Sequence, residues 1–300
     1  MPITLHPLSR RRFIAGALAA GAALAARRVS FGAATPDPSR VVLFSDIHID
    51  ADRSKVDRGV NMFDHFQKSV SEVLAMDVPP VAVMINGDCA HLLGHVEDYK
   101  QVMGLVAPLR EAGLPVHMIF GNHDNRENFW GSIPADEKRV KAVEDRQVLV
   151  VETQRADWVM LDSLQKTNGT PGLLGEDQLK WLAAELDRRA GKKVIVMVHH
   201  QLDERPVPLG LTDTKALLDV LLPRTQVKAL LYGHTHVWTF EKREGLHCVN
   251  LPAVAYPFDT TSPTGWVDAK LSDSGMALEL HCTDHAHPKH GEKHQLVWRG

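Results

Sequence analysis

VAVMINGDCAH (Val81–His91) joins a continuous apolar run to a Gly-Asp turn, and its last four positions hold Asp88, Cys89 and His91. A run without polar alternation is the pattern of a strand covered on both faces. The same arrangement recurs along the chain. VVLF (41–44) leads into Ser45-Asp46-Ile47-His48, and VHMIF (116–120) into Gly121-Asn122-His123-Asp124. VIVMV (194–198) leads into His199-His200, and ALLY (229–232) into Gly233-His234-Thr235-His236. Two more such runs are VLVV (148–151) and WVML (158–161).

Helical spacing fills the intervals: Phe63, Phe66, Val70, Val73; then Val102, Leu105, Val106, Leu109; then Leu179, Leu182, Ala183, Leu186. A further pattern around Leu217, Val220 and Leu221 stops at Pro223. Strand alternating with helix predicts an α/β domain. Beyond residue 236 the pattern changes to short strands and turns, which predicts a closing antiparallel sheet. The domain is expected over 38–284, followed by a polar, loose, His-rich tail over 285–300, whose histidines need bind no metal.

The 300 residues carry a formal charge of −3. Residues 1–34 contain five Arg and no acid, so the remainder has 29 Lys and Arg against 37 Asp and Glu, a net of −8. That balance excludes a general nucleic-acid or anionic-membrane binder. Within 1–34, SRRRFI (9–14) opens a 14-residue apolar run too short for a stable membrane span. Paired arginines, the run and the small residues Ala33 and Ala34 match a Tat-type (twin-arginine) signal peptide and predict a periplasmic or secreted protein. Three cysteines make no disulfide framework.

In an α/β sheet, ligands bind beyond the carboxyl ends of the strands. Five apolar runs each deliver Asp, Asn or His there. Taken singly, each block also reads as an ordinary turn; taken together and in this order, they predict a site. Two aspartates, an asparagine and several histidines exceed a four-coordinate zinc site and suit two divalent ions sharing one carboxylate. Mixed nitrogen and oxygen donors suit Mn, Fe or Zn. Successive side chains in extended chain point opposite ways, so Cys89 is expected in apolar packing and His91 in a loop beside the pocket.

The blocks Asp46-Ile47-His48, Gly87-Asp88, Gly121-Asn122-His123-Asp124, His199 and Gly233-His234-Thr235-His236 resemble the calcineurin-like metallophosphoesterase superfamily over residues 41–240. The resemblance implies a four-layer α/β/β/α sandwich of two mixed sheets flanked by helices, with a dinuclear centre on top. It implies Asp46, His48 and His236 on one metal, Asn122, His199 and His234 on the other, and Asp88 bridging. His123 would stabilise phosphoryl oxygens or protonate the leaving alkoxide while a metal-held hydroxide attacks phosphorus in line. Asp124, where other members carry Glu, points toward the phosphodiesterase and cyclic-nucleotide branch. A phosphomonoesterase is the alternative, and a non-catalytic scaffold would have lost ligands that this chain keeps. One departure stands out: His199-His200-Gln201-Leu202 lacks the proline that often follows the His pair. Arg126 is a candidate phosphate clamp, with a surface salt bridge as its alternative, and His200 a candidate substrate contact or support for the ligands. Loops 49–62, 124–135 and 200–213 are expected to set substrate choice.

Overall fold

The computed structural model describes residues 4–5, 35–133 and 142–300. The signal-peptide reading of 1–34 lies outside these residues, apart from Thr4 and Leu5. In chain order the strands and helices are β1 (Thr4–Leu5), β2 (Asp37–Phe44), β3 (Val56–Asp57), β4 (Val60–Asn61), α1 (Met62–Leu74), β5 (Pro80–Asn86) and α2 (Val96–Glu111). There follow β6 (Val116–Ile119), α3 (Arg126–Ser132), β7 (Leu149–Glu152), β8 (Asp157–Met160), α4 (Glu176–Arg188), β9 (Val194–Met197) and α5 (Thr214–Leu221). The chain closes with β10 (Val227–Tyr232), β11 (Thr239–Arg243), β12 (Leu246–Asn250), β13 (Gly265–Leu271), β14 (Gly275–Cys282) and β15 (Lys293–Val297).

One sheet runs β1-β6-β5-β2-β13-β14-β15, and the other runs β11-β12-β10-β9-β8-β7. Strands β2, β5 and β6 are mutually parallel, as are β8, β9, β10 and β12. The remaining pairings are antiparallel, so both sheets are mixed.

The apolar runs are continuous because both faces of each strand are buried. Leu43, Met84 and Ile119 meet Trp158, Ile195 and Leu231 between the sheets. Their neighbours Val42, Phe44, Val83 and Ile85 face outward against Phe66 and Val70 of α1 and Val102 and Val106 of α2. On the other side, Val159, Val196 and Leu230 pack with Leu182 of α4 and Leu217 of α5. The result is the expected α/β/β/α sandwich, with the parallel strands of both sheets ending at one edge.

The tail corrects the sequence reading. Lys293–Val297 pairs with β14 as an edge strand and buries Leu296 between the sheets. Arg299 donates to the carbonyls of Leu221, Arg224 and Val227, each at 2.9 Å, and so fastens one sheet to the other. The histidines are packed too: His281 stacks on Trp266 at 4.0 Å and His294 on Phe240 at 3.7 Å. Polar composition hid an alternating strand that satisfies an otherwise open sheet edge. Cys89, Cys248 and Cys282 are all free and buried. Among the described residues, no helix is long and apolar enough to cross a membrane.

Candidate metal centre

The chain leaves each parallel strand through a sharp turn, and five of the expected ligands occupy the left-handed backbone region. Their φ values are 53° at Asp46, 47° at His48, 46° at Asp88, 69° at His234 and 55° at His236. Such conformations cost residues with a Cβ about 1 kcal/mol or more each and persist where the surroundings enforce them. Here the loops after β2 and β5 brace one another: His48 N–H donates to the Asp88 carbonyl (2.9 Å) and Ile49 N–H to that of Cys89 (3.0 Å). Gly121 and Gly233 allow the closest approaches. A Cβ at Gly121 would collide with the Asp88 carboxylate, and one at Gly233 with Ser45 Oγ and the Asp46 carboxylate.

Two clusters result, Asp46-His48-His236 and Asp88-His199-His234, and a third, His48-Asp88-His123, overlaps both. His236 Nε2 lies 3.3 Å from Asp46 Oδ1 and 3.1 Å from His48 Nε2. Asp88 stands between the clusters. Its Oδ1 accepts from His123 N–H at 2.8 Å, which leaves Oδ2 3.6 Å from His48 Nε2 and 3.3 Å from His199 Nε2. One carboxylate oxygen thus faces nitrogen donors of both sheets.

Backbone carbonyls choose the imidazole tautomers. A carbonyl only accepts, so His199 Nδ1–H donates to Asn86 O (2.9 Å) and His236 Nδ1–H to Tyr256 O (2.6 Å). Both rings therefore turn Nε2 inward. His234 is reversed: Nε2–H donates to Leu209 O (3.1 Å), freeing Nδ1. Asn122 Oδ1 is buried with no hydrogen-bond partner among the described residues, and buried His199 Nε2 faces the Asp88 carboxylate at 3.3 Å. Buried polar atoms are rarely left unpaired, and these two are both expected ligand atoms of the second metal. The residues present fit a pair of metal ions.

The charges agree with that reading. Burial opposes ionisation of Asp46, but His199 and His236 hold its carboxyl below the ordinary range. Burial likewise opposes Asp88, and His199 and His123 hold it lower still. Burial drives His48 well below its usual value and His234 down to about 4, leaving both neutral as ligands must be. His199 is different: burial favours the neutral ring, yet Asp88 and Asp46 raise it to about 10.

His123 stands at the mouth, partly exposed, 5.2 Å from the His48 ring, with Nδ1–H donating to Leu92 O at 3.1 Å. A ring nitrogen of His123 also lies within 4.8 Å of ligand atoms of His48 and Asp88. Asp124 braces the turns from behind, accepting from the N–H groups of Cys89 and Ala90 (3.1 Å each) and Gly121 (2.9 Å). Burial and then the Asp88 charge raise it to about 7. Cys89 is fully buried, and burial pushes its thiol well above the usual value. His91 lies between Asp50 (3.1 Å) and Asp57 (3.2 Å).

Arg126 corrects the sequence reading. It forms a two-pronged pair with buried Asp162, Nε–Oδ2 2.7 Å and Nη2–Oδ1 2.8 Å, so its fork is engaged within the fold rather than offered to phosphate. His200 is buried, 2.7 Å from Ser163 Oγ, and packs against the rings of His199 and His234. It therefore backs the ligands. Sequence reasoning missed the loop after β12, which brings Tyr256 onto His48 and Phe258 onto His236. It missed Arg58 as well, although the pattern Val-Asp-Arg-Gly-Val-Asn is a hairpin signal. A separate cluster of Asp268, Glu279 and His281 lies on β13 and β14, where Arg40 and Lys293 take its carboxylates.

The sequence profile described as "Calcineurin-like phosphoesterase" matches residues 39–238, and the chain belongs to that family of metal-dependent phosphoesterases. Among curated proteins it is similar to a "Probable cyclic nucleotide phosphodiesterase" of Ruthia magnifica, 26% identical over 78% of this chain and 94% of that one. It is also similar to the Pseudomonas aeruginosa "3',5'-cyclic adenosine monophosphate phosphodiesterase CpdA", 28% identical over 80% and 85%. These likenesses favour phosphodiester over phosphomonoester hydrolysis. In fold, the chain is similar to a dimetal phosphatase from Danio rerio (TM-score 0.67, 16% identical, 88% of this chain and all of that one). It also resembles the Plasmodium protein described as "GAP50 the anchor in the inner membrane complex" (TM-score 0.57, 12% identical, 87% and 89%).

Proposed function

We propose that the protein is a dinuclear phosphodiesterase acting on small phosphodiesters of the cyclic-nucleotide class. In this reading Asp46, His48 and His236 hold one ion, Asn122, His199 and His234 the other, and Asp88 bridges them. The observation that carries it is Asp88 Oδ2, within 3.6 Å of His48 Nε2 and 3.3 Å of His199 Nε2, on opposite sheets. The donor set favours Mn, Fe or Zn. When bound, such ions supply Lewis acidity at the phosphoryl group and a nucleophile near neutral pH.

The chain's own residues orient and protonate. The Asn86 and Tyr256 carbonyls hold the ligand rings, while His123, its Nδ1–H donating to Leu92 O, would in its imidazolium form give the Nε2 proton to the departing ester oxygen and be left as the neutral ring. The cyclic-nucleotide assignment rests on the names of the curated relatives. We also propose Tat-type export on the basis of residues 9–34, so that substrate is met outside the cytoplasm; metal loading before export suits a route that carries folded protein.

The test uses protein reconstituted with Mn, Fe or Zn on cAMP, cGMP and bis(p-nitrophenyl) phosphate beside p-nitrophenyl phosphate. Diester turnover exceeding monoester turnover is expected. Monoester preference would replace the reading with a phosphomonoesterase, and no turnover of any ester by metal-loaded protein would refute it. Fractionation of expressing cells tests export, with a shortened chain expected outside the cytoplasm.

A further inference from the structure

Strands β3 and β4 are joined by two residues, Arg58 and Gly59, with φ of 49° and 81°. Positive φ at both central positions is the tight hairpin turn that matches strand twist, and glycine relieves one of them. The turn puts the exposed Arg58 at the hairpin tip. Its guanidinium carbon lies 4.9 Å from the Phe258 ring and 5.7 Å from that of Tyr256. Phe258 stacks in turn on His236 (centroids 4.1 Å, planes 12° apart), and Tyr256 on His48 (5.1 Å, 24°). One cation therefore rests on the two aromatic rings that cover two expected ligands of one ion.

The hairpin is pinned beside the centre. Asp57 pairs with buried His91, which also holds Asp50, and the Asn61 side chain caps α1 through Asp64 N–H. Among the described residues, Arg58 has no carboxylate partner and no hydrogen bond; its contacts are the two rings. Exposed apolar side chains at this edge are Leu92, whose carbonyl holds His123, Leu209, whose carbonyl holds His234, and Phe258 itself, with the exposed Asp259 following Phe258 in the chain. A guanidinium with free donors and a rigid mounting is suited to a phosphoryl group, and the role expected of Arg126 is open.

We propose that Arg58 recognises the anionic phosphoryl group of the substrate, held in position by Phe258 and Tyr256. This rests on the phosphoesterase reading of the centre. A monoanionic diester matches a single cation mounted on two aromatic rings.

The experiment is titration calorimetry of inorganic phosphate into Mn-loaded wild type, Arg58→Ala and Arg58→Lys, with metal content measured in each. Loss of one charged hydrogen-bonding group predicts phosphate binding about tenfold weaker in Arg58→Ala, partly restored in Arg58→Lys, at unchanged metal content. On bis(p-nitrophenyl) phosphate, KM is expected to rise about tenfold while kcat stays within about twofold. Unchanged phosphate affinity and KM in metal-replete Arg58→Ala would overturn the proposal. Loss of metal from that variant would overturn it too, since Arg58 would then be supporting the centre. Phosphate binding needs no turnover: wild type that binds phosphate through Arg58 yet cleaves no ester would refute the phosphodiesterase reading and leave the anion site standing.

Discussion

Asp88 and His123 are joined by one hydrogen bond yet face different tasks. Asp88 uses Oδ1 to hold the His123 backbone and presents Oδ2 to both donor sets. Asp88→Ala is therefore expected to lose both metals, read by elemental analysis, and nearly all activity. Retention of two tightly bound ions would contradict the bridging role. His123→Ala is expected to keep its metals while kcat falls by about 10²-fold or more, the usual worth of a positioned acid–base group; metal loss would make His123 a ligand. Both residues were legible in the sequence because each follows an apolar run directly. For Arg126 the sequence left clamp and salt bridge open, because its partner, Asp162, is a neighbour only after folding.

At the scale of elements, the closing strand β15 is the clearest test of packing. Deleting residues 291–300 removes buried Leu296 and the Arg299 bonds across the two sheets. Tm is expected to fall by on the order of 5 °C, measured by calorimetry, with the ligand-bearing edge intact and activity per folded molecule retained. An unchanged Tm would show that the strand contributes nothing to the fold. The parallel strands and the helices were readable because double-sided burial leaves unbroken apolar runs and one-sided burial leaves 3.6-residue spacing. Strand β15 was not, because a half-exposed edge strand keeps mostly polar residues. The loop bearing Tyr256 and Phe258 gave no signal either, since aromatic residues in a turn read equally well as core.

The whole molecule assembles its centre from both sheets, and that makes metal uptake a proton exchange. Without metal, His199 is raised to about 10 by Asp88 and Asp46, so it carries a proton at neutral pH. His48 and His234 are held low and are already neutral, and both carboxylates are already ionised. A ligand nitrogen must be unprotonated. Filling the centre near pH 7 is thus expected to release about one proton, and apparent affinity to rise about tenfold per pH unit up to roughly pH 10. Calorimetry in buffers of different ionisation enthalpy reads the proton count directly. Uptake with no proton release would mean that His199 is neutral before metal arrives.

The order of apolar runs and polar strand ends determined, by itself, the α/β class and the position of the site, and the resemblance to a known family supplied the set of expected ligands. Those signals are local: a strand, its turn and its first polar residue lie within about ten positions. Which cation faces the substrate edge, how Asp88 divides its two oxygens and where the last ten residues go were decided only by tertiary structure. Each depends on partners far apart in the chain: Arg126 with Asp162, Arg58 with Phe258, and Arg299 with Val227. A guanidinium exposed at a hairpin tip and one locked to a buried carboxylate read alike in sequence, and only packing separates them.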